Sequence, residues 1–473
     1  MENDLCAMGL LDLELAIAGG RVSPSELVDA HLARIADLDP NLGAFVTIIG
    51  DRARDEARAL TEELAKSGPR GPLHGIPFAA KDLQDSAGVR TTYGSAVFAD
   101  HVPEEDAESV RRLREAGAIL LGKTNTHEFA CGVTTDNPHF GPTHNPWKQG
   151  HIPGGSSGGS GAAVAAGLVP FATGTDTGGS IRIPAAACGC VGIKPTWGRV
   201  SQRGTFPMDP TMDHVGPIAR SARDCAVALN AMAGFDPEDP WSPRVDAEEE
   251  FTRLIGRPLR RRRIAIAPGF EPVPVSASVR QNLQKALRTF EELGAEIVEI
   301  ELPPADEVVE TGFTLITAGT ALTHRDLLPG NEERYGPDLR LLIEAAAALD
   351  AGSLVVAQRR REELTRRFEQ ALILSKCDAL VLPTLACEAP PIGALQVMVE
   401  GLEIDVTMAM AAFNVVHDAT RLPSISVPTG LGNASLPTAL QITTMPSADA
   451  LALGLADALE NALWPPAERR PPL

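Results

Sequence analysis

The sequence predicts an α/β fold: a large mixed central sheet covered by helices on both faces. Two observations carry this reading. Short apolar runs that end in glycine, proline or charge alternate with amphipathic helical stretches along the chain. The composition is that of an ordinary globular protein, 44% hydrophobic and 22% charged over 473 residues, long enough to bury a core that excludes water. No internal period marks a solenoid.

The elements follow in order. Ser23-Pro24-Ser25-Glu26 is a helix start, with a capping serine, a proline in the first turn and a glutamate three residues on. Val28, Leu32 and Ile35 give that helix its apolar face. Leu73 to Ala80 reads as a short strand running into Lys81-Asp82. Glu108 to Ala116 reads as a helix stopped by Gly117, and Ala118 to Gly122 as a buried strand. Ala162 to Ala166 is a buried helical segment. Thr173 to Ser180 reads as turn, and Val191 to Lys194 as strand. A surface connection is expected over residues 235–263. A strand at Ile264–Ala267 follows, then a helix from Ser276 to Leu293 with core residues Val279, Leu283, Leu287 and Phe290. Ala295 to Ile300 is a strand, Asp338 to Leu372 one long helix, and Ala379–Leu382 and Pro423–Pro428 are buried strands.

The formal net charge is -20, which disfavours nucleic acid as a partner. The basic run Arg257, Arg260, Arg261, Arg262 and Arg263 precedes an apolar strand and reads as a solvated linker end. Seven cysteines in so long a chain are no disulfide framework, and Cys188-Gly189-Cys190 is too tight for a zinc pair. Met1-Glu2-Asn3-Asp4 lacks the basic and apolar regions of a signal peptide. A cytoplasmic protein without a membrane segment is expected.

The chemistry concentrates in two glycine-flanked serine turns, Gly154-Gly155-Ser156-Ser157-Gly158-Gly159-Ser160 and Gly174-Thr175-Asp176-Thr177-Gly178-Gly179-Ser180. From Ile152 to Thr175 there is no charged residue. Glycine lets the backbone approach a substrate and turn its N–H groups inward. A flexible linker would not be followed at once by a buried helix. A phosphate loop would end in Gly-Lys-Ser/Thr. Gly154-Gly155-Ser156-Ser157-Gly158 matches a Gly-x-Ser-x-Gly elbow, with His324 and His417 as possible bases, but no strand precedes it. His127, His139, His144 and His151 follow no metal-ligand spacing, so no metal is expected.

Gly75-Ile76-Pro77-Phe78-Ala79-Ala80-Lys81-Asp82, Lys123-Thr124-Asn125, the two serine turns, Ile181-Arg182-Ile183-Pro184 and Gly192-Ile193-Lys194-Pro195-Thr196 together resemble the amidase signature family. Order and spacing match from Leu73 to Arg220, and more weakly through Ala379–Thr384 and Leu422–Thr429. The resemblance implies one domain over residues 1–473: a signature core at about 73–220 and a C-terminal half, about 264–473, that completes the sheet and the substrate pocket. It also implies a Ser–cis-Ser–Lys triad, with Ser180 as nucleophile, Ser156 after a cis peptide bond, and Lys81 as general base. The backbone N–H groups of Thr177, Gly178, Gly179 and Ser180 are then the oxyanion hole, braced by an Asp176–Arg182 ion pair. Cys131, Gly132 and Gly155 fall at the substrate pocket, although Cys131 by itself reads as a buried apolar thiol. Ser157 and Ser160 are expected to hold the turns. A free lysine titrates near ~10.4, so Lys81 must be buried to act as a base.

The activity this implies is hydrolysis of a carboxylic amide C–N bond through a serine acyl-enzyme, without cofactor. The expected partner is a small-molecule amide substrate, with no nucleic acid and no membrane, and possibly a second copy of the chain as a homodimer. The tyrosine-rich segment expected of the A-type chain of glutamine-dependent tRNA amidotransferases is absent from Thr314–Asp338, and the chain has two tyrosines. The alternatives are that branch, a hydrolase of small carboxylated urea derivatives, and a catalytically silent binding subunit.

Overall fold

The computed structural model describes residues 5–244, 249–346 and 348–473. Met1–Asp4 and residues 245–248 of the expected surface connection therefore lie outside the described residues. Eleven strands form the central sheet: β1 (Phe45–Ile48), β2 (Pro77–Lys81), β3 (Ile119–Thr124), β4 (Phe171–Asp176), β5 (Val191–Lys194), β6 (His214–Ala219), β7 (Arg263–Ile266), β8 (Glu296–Glu299), β9 (Ala379–Pro383), β10 (Ser424–Leu431) and β11 (Pro437–Thr443). Their spatial order is β1-β3-β2-β4-β6-β5-β10-β11-β9-β7-β8. Parallel pairs (β2 with β3 and β4; β7 with β8 and β9) and antiparallel pairs share the one sheet, so it is mixed, as predicted.

Alternation along the central strands fills both faces, because side chains one residue apart point to opposite sides. Phe78 and Phe171, stacked with ring centroids 5.6 Å apart, share a core with Val215, Ile425 and Ile442 and with residues of the helices Ala222–Met232 and Asp449–Leu463. Their neighbours Ala79 and Ala172 pack on the other face, against Ala162 and Ala163 of the helix Gly158–Ala165 and Val28 and Leu32 of the helix Pro24–Leu42. Sheets covered on both faces read as near-continuous apolar runs.

Local signals account for most boundaries. Ser23 caps its helix: its side chain accepts the Glu26 N–H, and the Glu26 carboxylate accepts the Ser23 N–H at 2.8 Å. Ser276 caps Ala277–Glu292, whose Val279 and Phe290 are buried while Leu283 and Leu287 are partly so. Two expectations are corrected. The single helix over 338–372 is two helices, Pro337–Ala346 and Ala351–Ser375. Asp350 starts the second by accepting the Ser353 N–H, a cap that competes with continuation of the helix. Thr173 to Asp176, read as turn, is the end of β4, and the turn begins only at Thr177. Cys188 and Cys190 are buried free thiols. No helix among the described residues is long and apolar enough to cross a membrane.

Candidate active site

Lys81 is the last residue of β2, and β4 runs parallel beside it. Its N–H donates to Thr173 Oγ1 at 3.1 Å, which fixes its backbone against β4. The side chain is wholly buried. Nζ lies 2.7 Å from Ser156 Oγ and 2.7 Å from Thr175 Oγ1. Burial pushes the ammonium down to about 7, against the pull of Asp176 and Asp213. In water an amine of this kind stays protonated at neutral pH. Burial, which outweighs the two nearby carboxylates, is thus what favours the neutral amine here.

The first serine turn is held from outside. The Gly155–Ser156 peptide bond is cis. The Ser156 carbonyl accepts from the His127 N–H at 3.2 Å and from Thr135 Oγ1 at 3.2 Å. Thr135 Oγ1 also accepts the Gly158 N–H at 3.0 Å, at the start of the helix Gly158–Ala165. The two turns are tied to each other: the Ser157 N–H donates to the Ser180 carbonyl at 3.2 Å, and Ser160 Oγ donates to the Thr173 carbonyl at 2.8 Å. Ser157 and Ser160 therefore do the holding expected of them.

The second turn hangs on Asp176. Its carboxylate accepts the N–H groups of Gly179 at 2.6 Å and Ile181 at 3.2 Å, and pairs with Arg182 through Nε and Nη2, each at 3.0 Å. Burial opposes the charge on Asp176, but the Arg182 guanidinium outweighs it and holds the carboxyl well below the usual range. Of the four N–H groups expected to form the oxyanion hole, that of Gly179 is bonded to Asp176. The Ser180 hydroxyl makes no hydrogen bond among the described residues, and the residue keeps 8% of its surface exposed.

The expected pocket residues divide. Cys131 and Gly132 are part-exposed beside the turns, and burial pushes the Cys131 thiol up to about 12, so it stays protonated. Gly155 is buried, and a Cβ there would stand 2.6 Å from the Thr134 N and Val133 C atoms, so it packs closely against that backbone. His324 is buried in an aromatic cluster, its Nδ1 3.0 Å from the Tyr335 hydroxyl. His417 is buried beside Thr443. Neither is hydrogen-bonded to a serine of the two glycine turns. The four loop histidines part company: His139 meets Glu128, His151 the Ala389 carbonyl, His144 the Gly150 N–H and His127 Thr134.

Three polar residues beside this site escaped sequence reasoning. Thr175 shares Lys81. Asp213 accepts from Thr177 Oγ1 at 2.5 Å. Asp418 meets Arg182 Nη2 at 2.7 Å. Thr175 could have been found from the period-2 pattern Thr173-Thr175 on one face of a strand, had β4 been read as one.

The family model Amidase matches residues 26–453. The A-type chain of the glutamyl-tRNA(Gln) amidotransferase of Cupriavidus necator is 37% identical over 490 aligned residues, covering 96% of this chain and 96% of that protein. Among solved structures, a chain of a vestigial protein complex tied to the evolutionary origins of an s-triazine catabolic enzyme superposes with a TM-score of 0.91 at 34% identity, covering 96% of this chain and 98% of the other. The peptide amidase of Stenotrophomonas maltophilia gives a TM-score of 0.84 at 31% identity, over 98% of each chain. These relatives overturn the expectation of a small-molecule partner alone, with no nucleic acid. The first is by name one component of an enzyme that works on tRNA. The net charge from which that expectation came describes one chain's surface, not the surface of an assembly. The match along residues 26–453, together with relatives aligned over almost the full length, shows that this chain belongs to the amidase family, the amidase-signature enzymes acting on carbon–nitrogen bonds.

Proposed function

We propose that this chain hydrolyses a carboxamide C–N bond through an acyl-enzyme on Ser180, as the A-type chain of a glutamine-dependent tRNA amidotransferase. The observation that carries the chemistry is the wholly buried Lys81, with Nζ 2.7 Å from Ser156 Oγ in a turn that is hydrogen-bonded, through the Ser157 N–H, to the Ser180 carbonyl. The roles follow from protonation states. Neutral Lys81 takes the Ser156 proton while Ser156 takes that of Ser180. The Ser180 oxygen adds to the carbonyl carbon, and the N–H groups of Thr177, Gly178 and Ser180 receive the developing oxyanion. The C–N bond breaks as Ser156 passes its proton to the leaving nitrogen and regains one from Lys81. Water then repeats the sequence on the ester and frees the acid. Asp176 and Arg182 hold the turn. The assignment to an amidotransferase draws its support from the relatives in Cupriavidus necator and Acinetobacter baumannii.

A second reading, hydrolysis of a carboxylated urea derivative within a protein complex, is favoured by two observations. One is the TM-score of 0.91 to the s-triazine-linked complex. The other is that the chain has only two tyrosines, and other side chains engage both hydroxyls, Tyr93 with Asp85 and Tyr335 with His324. One experiment tests the chemistry and separates the two substrates. A serine-directed fluorophosphonate should label the peptide containing Ser180 and leave Ser180→Ala unlabelled. Ammonia release from glutamine, with and without partner chains of the amidotransferase, is then compared with release from carboxylated ureas. Labelling of Ser156 alone, or turnover by Ser180→Ala at the parental rate, would sink the acyl-enzyme.

A further inference from the structure

Arg182 is wholly buried, and so are both carboxylates it touches. A buried guanidinium must have its charge balanced and its donors satisfied. Here it meets Asp176 with two nitrogens, a bidentate geometry that fixes orientation as well as distance. The remaining bonds all go to the C-terminal half. Nη2 donates to Asp418 Oδ2 at 2.7 Å and to the Asn414 carbonyl at 3.1 Å, and Nη1 donates to Gln441 Oε1 at 2.8 Å. Asp418 and Asn414 belong to, and cap, the short helix Val415–Ala419, and Gln441 lies on β11. One side chain thus joins the turn at Ser180 to a helix more than two hundred residues away.

From this we infer that Asp418 is a positioning residue for the reaction: through Arg182 it fixes the Asp176 carboxylate, and with it the backbone on both sides of Ser180. The inference rests on the reading of Ser180 as nucleophile. Asp176 accepts the Gly179 and Ile181 N–H groups, which flank Ser180, so a shift of that carboxylate is a shift of the serine and of the Gly178 and Ser180 N–H groups. Two carboxylates face one guanidinium, and His214 stands behind them with Lys194, its imidazole pushed toward the neutral form by burial. His214 Nδ1 is 3.5 Å from Asp418 Oδ1 and 3.2 Å from the Asp176 carbonyl, and His214 Nε2 is 3.2 Å from Lys194 Nζ. His417, next to Asp418 in the helix, faces Thr443. Asp418 is therefore held by Arg182 through Oδ2, and its Oδ1 has no hydrogen-bond partner among the described residues. Replacing its charge leaves Asp176 as the one carboxylate on Arg182, and only the neutral Asn414 carbonyl and Gln441 then tie the guanidinium to the C-terminal half.

Asp418→Asn keeps the size and an acceptor oxygen while removing the charge. It is compared with the parent for kcat, KM, thermal midpoint and the rate of Ser180 labelling by a fluorophosphonate. A misplacement of catalytic atoms lowers kcat, so a loss of about 10–100-fold is expected. KM should stay within about twofold, since ground-state binding is untouched. Labelling should slow in parallel. A merely structural role would lower the thermal midpoint and leave kcat of the folded fraction unchanged, and that result overturns the inference, as does a loss confined to KM. If Asp418→Asn does not fold, Arg182→Lys decides. It keeps the positive charge but cannot span Asp176 and Asp418 together, so it should show a kcat loss of the same kind; parental kcat there overturns the inference too. Absence of labelling at Ser180 in the parent would instead overturn the acyl-enzyme reading, whatever Asp418 does.

Discussion

Lys81 is the residue whose charge state sets the pH dependence. Burial lowers its ammonium to about 7. Below that pH it is protonated and cannot accept the proton relayed by Ser156; above it the amine is free. The kcat/KM should therefore rise with pH through an apparent value near 7, far below the ~10.4 of a free lysine. Lys81→Ala should remove this limb and most of the rate, and Lys81→Arg should restore neither, because a guanidinium does not deprotonate. A pH–rate profile of Lys81→Ala that matches the parent in shape and height would exclude this residue as the base. The histidines supply the complementary case. His324 and His417 are buried by aromatic and strand neighbours, so their replacement by alanine costs stability more than chemistry. Turnover per folded molecule should stay within about tenfold, where loss of a general base costs ~10²–10⁴. The two serine turns were legible in the sequence because glycine turns and an uncharged stretch are local signals, while the roles of Lys81, Ser156 and Ser180 came from the family resemblance. Asp418 was not legible, because its partner Arg182 is 236 positions away, and nothing local distinguishes it from a surface aspartate.

The turn Thr177–Ser180 is the element on which the site depends, and glycine is required there for two separate reasons. Gly179 has φ 118°, and a Cβ on it would stand 2.5 Å from the Asn414 Cβ. Gly179→Ala thus carries both a backbone penalty and a collision with the helix that also holds Arg182. A positive φ of this kind costs an ordinary residue about 1–3 kcal/mol. The collision adds displacement of the turn, so the rate should fall by about 10²-fold, as for a lost oxyanion donor. Steady-state kinetics and a thermal melt on the same preparation check both; parental kcat would show that the turn tolerates the shift. At this scale the sequence was readable wherever a cap or a stop residue is local, as at Ser23 and Ser276. It misled where polar residues carry a strand. Thr173 to Asp176 looked like turn because of its glycine and threonines, yet β-branched threonine suits a strand buried on both faces. β1, β6 and β11 were not anticipated. In β6 and β11, proline and threonine interrupt the apolar runs, and their burial comes from neighbours supplied by distant parts of the chain.

The whole molecule is organised around the seam between β5 and β10, where the signature core meets the C-terminal half. Ser424, Ile425 and Ser426 pair there with Lys194, Ile193 and Gly192. The same core cluster takes Phe78, Phe171 and Ile193 from one side of the seam and Ile425, Leu440 and Ile442 from the other. Arg182 crosses it with a wholly buried ion pair. Separating the halves would expose a long sheet edge with unpaired backbone groups and strip Asp418 of the Arg182 guanidinium that pairs with it. We therefore propose that the chain folds as one domain, and expect a single cooperative transition in denaturant. Near-ultraviolet circular dichroism reports the aromatic cluster around Phe129 and Tyr335, and fluorophosphonate labelling reports the turn at Ser180. The two midpoints should coincide, because coincident probes are the mark of two-state unfolding. Loss of labelling at a denaturant concentration that leaves the aromatic signal intact would show that the turn at Ser180 comes apart while the halves still pack at Phe129 and Tyr335, and that unfolding is not one cooperative step.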